Sequence, residues 1–111
     1  MLPDFINPAF AFVALCGVRF QSRSEGGHAV TFRSDYRCQL RYVDDTEEAD
    51  ADVRTYFVGH ENASAGDEMA IVLAFVDWER ERDRCRVGRA FELREGTVVT
   101  ATGVVRGIAR R

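Results

Sequence analysis

The chain has 111 residues, of which 46% are apolar and 30% charged, a profile that fits one globular domain with a real core and excludes a disordered chain. All 15 basic residues are arginine and none is lysine, which excludes a self-sufficient Walker-type phosphate loop and any Schiff-base chemistry. Eighteen acidic residues leave a net charge of -3, whereas domains that live on nucleic acid are usually basic.

The start of the chain, Met1 to Phe20, is apolar, but Asp4 stands where a basic leader region would be. No signal peptide is expected, and the apolar stretch Ala9 to Val18 is too short to span a bilayer. The expected location is cytoplasmic. From Phe10 to Gln21 the residues Phe10, Phe12, Ala14, Cys16, Val18 and Phe20 share one side, which is a strand pattern. Tyr36 to Val43 alternates cleanly: Tyr36, Cys38, Leu40 and Tyr42 on one face, Arg37, Gln39 and Arg41 on the other. It reads as a strand with one wet side.

Asp44, Asp45, Glu47, Glu48, Asp50 and Asp52 follow. Such a charge run is usually a solvated loop; the sharper reading is an acidic contact surface for a basic protein partner. A calcium loop is not expected, because the glycine and terminal glutamate of the EF-hand pattern are missing. Val53 to Val58 is β-branched and aromatic and reads as a strand. Met69 to Val76 is a continuous apolar run, expected as a strand buried on both faces.

Asp77 to Val87 alternates charges of opposite sign, with Trp78 its only large apolar residue. It is expected as a loop or hairpin arm with helical turns. Trp78 is expected to cap the barrel end or anchor an interface, and Arg80, Arg82 and Arg84 are candidates for protein contact. Cys85 lies among these charges and is expected to be exposed, whereas Cys16 and Cys38 are expected in the core. Arg89 to Arg94 and Thr97 to Val105 read as two strands joined by a tight turn at Glu95-Gly96. About six strands in so short a chain must close or pair two sheets to bury their apolar faces.

At this point the chain resembles a known family. Glu25-Gly26-Gly27-His28, then Phe32, then Tyr36-Arg37-Cys38-Gln39-Leu40 looks like the opening of the third domain of elongation factor Tu. Gly66-Asp67 is similar to a turn of that domain. The run Gly88 to Gly96, ending in Gly103-Val104-Val105, resembles its closing hairpin. The resemblance spans about Val18 to Ile108. It implies an all-β fold, a six-stranded antiparallel closed barrel over residues 1-111, standing alone without a guanine-nucleotide domain.

In the full factor this domain helps hold the T-stem of aminoacyl-tRNA and touches protein partners. The family's threonine pair falls here on Asp44 and Asp45, the arginine before it on Val43, and an arginine and a glycine of the closing segment on Val98 and Ala101. Hydroxyls and a charge suited to phosphate have become carboxylates and bulk. The expectation is therefore a non-catalytic module acting through an unidentified protein partner, of which an immunity or decoy protein is one version. The alternative is a binder of tRNA or other structured RNA through Arg33, Arg37, Arg41, Arg106 and Arg110, with Arg106, Arg110 and Arg111 as a basic tail. No catalytic constellation, cofactor, nucleotide or metal site is expected: neither His28 nor His60 has a cysteine or second histidine nearby to signal one, and His28, which replaces a turn residue of the family motif, reads as structural.

Overall fold

A computed structural model describes residues 12–21, 32–44 and 50–110. Six strands close into an antiparallel barrel in the order β1-β6-β4-β3-β7-β8. They are β1 (Phe12–Phe20), β3 (Tyr36–Tyr42), β4 (Ala51–Phe57), β6 (Glu68–Phe75), β7 (Ala90–Glu95) and β8 (Val98–Arg110). Two short strands, β2 (Phe32–Arg33) and β5 (Asn62–Ala63), pair with each other outside the barrel order. A helical turn, α1 (Trp78–Glu81), lies between β6 and β7. Among the described residues no helix is long and apolar enough to cross a membrane.

The alternation read in the sequence is the alternation between barrel interior and wall. Ala14, Cys16, Val18 and Phe20 from β1 point inward, with Cys38, Leu40 and Tyr42 from β3 and Ile71, Leu73 and Phe75 from β6. Phe91, Leu93, Ala101 and Val105 complete the core. A small barrel has just enough interior for its own side chains, and these fill it. β6 is buried on both faces from Ile71 to Phe75, because Val72 and Ala74 join Val13 and Tyr56 in a second cluster on the outer wall. Two threonines inside the barrel carry polar groups: the Cys38 thiol lies 3.6 Å from the Thr55 hydroxyl, and Thr100 donates to the Leu93 carbonyl at 3.2 Å.

β8 runs longer than the sequence suggests, through Arg110, which stands opposite Phe12. The expected basic tail is thus a paired strand as far as Arg110; Arg111 lies outside the described residues. Two bulges interrupt β8. The pairing shifts from Leu93–Ala101 to Arg94–Val99, leaving Thr100 as the extra residue, and from Leu15–Gly107 to Cys16–Val105, leaving Arg106. A bulge bends its strand and re-aims a side chain. Here it turns Thr100 inward, where it is fully buried, and leaves Arg106 exposed on the wall. The β7–β8 hairpin turns at Gly96, whose φ of 63° suits a residue without Cβ.

The ends of the barrel differ. One end carries the β7–β8 turn and the β2–β5 pair. The other, the loop end, carries the chain leaving β3, the segment 76–89 between β6 and β7, and the start of β1.

Candidate functional site

The loop end is built on segment 76–89. Asp77 caps α1 by accepting from the Arg80 amide at 3.2 Å, and the Arg82 amide donates to the Trp78 carbonyl at 2.7 Å. The turn continues when the Cys85 amide donates to the Glu81 carbonyl at 2.9 Å. This winding places Trp78, Glu81 and Cys85 at helical spacing on the face turned to the barrel. Trp78 stacks on Phe12 with ring centroids 5.1 Å apart and tilts against Phe75 at 5.6 Å. It caps the barrel mouth, as one of its two expected roles requires.

Cys85 is buried, only 1% exposed, which corrects the expectation of an exposed thiol. Of the charged neighbours that suggested exposure, Glu79, Arg80, Arg82, Asp83 and Arg86 are exposed, while the turn carries the thiol inward together with Glu81. Burial pushes this thiol up from its usual pKa, so it stays protonated and is a poor nucleophile. Cys16 and Cys38 are core residues, as expected.

Beside Cys85 lie two more buried polar groups. Glu81 is 2% exposed and accepts from Arg84 Nη1 at 3.3 Å, with Arg80 Nε at 3.8 Å. The Tyr42 ring lies under the guanidinium of Arg89 at 4.1 Å and near that of Arg84 at 5.9 Å. Burial pushes the Tyr42 hydroxyl upward. Arg89 is the joint of the whole end. Its Nη1 donates to the Arg84 carbonyl at 2.6 Å, and its Nε donates to Asp44 Oδ1 at 2.9 Å. The chain then re-enters the wall, with the Gly88 amide on the Val105 carbonyl at 2.8 Å.

The structure therefore brings together two stretches far apart in sequence. Asp44 and Asp50, from the acidic run, sit at the same end as Trp78, Arg80, Arg82 and Arg84. Arg41 Nε donates to Asp50 Oδ1 at 2.8 Å, and Arg82 pairs with Glu79 at 3.3 Å. Asp52 begins the β4 wall and accepts weakly from Gln39 Nε2 at 3.4 Å. Asp45, Glu47 and Glu48 lie outside the described residues, as do His28 and the Glu25-Gly26-Gly27 segment.

The arginines considered for RNA are not gathered. Arg33 sits on the β2–β5 pair at the opposite end. Arg37 and Arg41 lie on the outer face of β3, Arg37 opposite Arg54 and Arg41 tied to Asp50. Arg106 and Arg110 stand on β8, with β7 and its Glu92 in between, and Arg110 lies over the Phe12 ring at 5.8 Å. His60 lines a depression of about 560 Å³ at the far end with Arg33, Asp35 and Glu61. Among the described residues no group of three or more His, Cys, Asp or Glu could hold a metal ion.

Glu81, Arg89 and Tyr42 escaped the sequence reading as site residues. The signal was present as the spacing Trp78, Glu81, Cys85, but a glutamate in the middle of a helical face does not read as buried. Comparison with protein-family models and with curated proteins found no match.

Proposed function

We propose that this chain is a non-catalytic binding module that meets another protein through the loop end of its barrel. The proposal includes a cytoplasmic location and kinship with the stand-alone form of elongation factor Tu domain three, on the motifs quoted above. The observation that carries it is the Asp44–Arg89 ion pair, at 2.9 Å. It joins an acidic and an arginine-rich stretch into one surface of mixed charge, held on a rigid support. Exposed charges of both signs set orientation and association rate at protein contacts more than raw affinity. Arg80 and Arg82 are exposed there with Glu79 and Asp77, on the side that a partner carrying the opposite pattern would approach. An immunity or decoy protein would use such a surface.

The test is crosslinking capture with the tagged full chain beside an Arg80→Glu, Arg82→Glu double variant. Both positions are exposed, but Arg80 also stands 3.8 Å from the buried Glu81, so a modest loss of stability is expected and the variant's amide spectrum is matched to the original's before capture. The expected result is a protein partner held by the original chain and lost by the variant. Recovery of tRNA alone, with affinity falling steeply as salt rises, would establish the RNA reading instead.

A further inference from the structure

The outer wall of β1, β6 and the end of β4 is apolar where a barrel exterior is ordinarily wet. Leu15 stands opposite Val72, Gly17 opposite Ala70, and the Val58 amide donates to the Ala70 carbonyl at 3.1 Å. Towards the loop end this wall is shielded: Val13, Val72, Ala74 and Tyr56 are buried. Away from it the wall is open, with Leu15 39% and Val58 42% exposed. Leu15, Gly17, Val58, Ala70 and Val72 line a depression of about 410 Å³, with Arg106 at its rim.

Arg106 is the bulged residue of β8. The bulge lays its side chain over Gly17, with Nε 3.6 Å from where a Cβ on that glycine would be. Among the described residues no ion pair engages Arg106. The depression thus offers an apolar floor and, at its edge, a guanidinium that no described residue neutralises. The barrel is closed, so this wall has no free strand edge, and a partner cannot add a strand here. It must dock by side chains.

We propose that this depression is a docking site for an amphipathic helix of another protein, with an apolar stripe on the floor and a flanking carboxylate on Arg106. The complementarity is that of a helix laid in a groove: apolar anchors supply burial, and the acid–arginine pair fixes orientation. The site lies on the wall and does not depend on the loop-end surface.

The test is a titration of the ¹⁵N-labelled full chain, followed by amide chemical shifts, with a synthetic amphipathic peptide. The peptide carries leucines at i, i+3, i+4 and i+7 flanked by glutamates. A control peptide carries arginines in place of the glutamates. Shifts are expected at Leu15, Gly17, Val58, Ala70 and Arg106, with affinity lowered about tenfold or more, roughly 1.4 kcal/mol, by Arg106→Glu. Ala70→Glu, an exposed position on the floor, is expected to weaken the same peptide while leaving the amide spectrum of the fold intact. Absence of shifts, shifts confined to other surfaces, equal binding of the arginine peptide, or indifference to Arg106→Glu would overturn the proposal.

Discussion

Burial of the thiols ties stability to pH. The Cys38 thiol is pushed from the usual 9.0 to about 11, chiefly by burial, and Cys16 and Cys85 are raised for the same reason. Above pH 9 the unfolded chain gives up protons that the folded chain keeps, so a rise in pH favours unfolding. Their contribution is whole below the unfolded value and is lost as pH climbs through the folded one. Urea midpoints are expected to fall steadily from pH 9 towards 11, and a flat profile across that range would contradict the burial of these thiols. Gly103 makes a second residue-scale case. A Cβ there would stand 2.6 Å from Val18 Cγ1 and 2.7 Å from the Gly17 carbonyl oxygen, and backbone cannot swing aside. Gly103→Ala is expected to cost about 1–3 kcal/mol by overpacking. At Gly107 the nearest atom is the Leu15 side chain at 3.7 Å, so Gly107→Ala is expected within about 0.5 kcal/mol of the original. Chemical denaturation of the pair distinguishes packing from a general intolerance of β8.

At the scale of the element, the strands were legible because inward and outward residues alternate without interruption through β1, β3 and β7. The continuous apolar run of β6 was legible too, since both faces of that strand are covered from Ile71 on. The far half of β8 was not, because the bulge at Arg106 adds a residue and reverses the alternation, and no residue from Gly107 to Arg110 is buried to mark a face. β2 and β5 have two residues each, too few to show any period. Segment 76–89 hid its inward face for a chemical reason: that face is a tryptophan, a glutamate and a cysteine, and the glutamate is buried with arginine partners. If Trp78 holds this segment on the barrel, Trp78→Ala loses its contacts with Phe12 and Phe75. The side chain is only half-buried, so a loss of about 2–3 kcal/mol is expected, below or at the low edge of the roughly 3–5 kcal/mol typical of fully buried aromatics. Amide exchange should quicken in residues 78–89 while β3 and β4 stay protected. Uniform quickening would mean that the mouth and the barrel open as one unit.

For the whole molecule, closure is what leaves the outside of the barrel open to the proposed contacts. β1 pairs with both β6 and β8, so strands near the two ends of the chain complete the ring. The interior is occupied by the protein's own side chains, and the two surfaces proposed for contact are the loop end and the wall. Both surfaces depend on that ring: the loop end needs β3 and β7 side by side to bring Asp44 to Arg89, and the wall site needs β8 beside β1 to lay Arg106 over Gly17. The most direct test is a search for cross-strand nuclear Overhauser contacts between β1 and β8 in the isotope-labelled chain. Contacts linking Val18 with Gly103, Cys16 with Val105 and Val13 with Ala109 are expected, including the one-residue shift at Arg106. Their absence, with β1 paired to β6 alone, would mean an open sheet and would contradict both surfaces together.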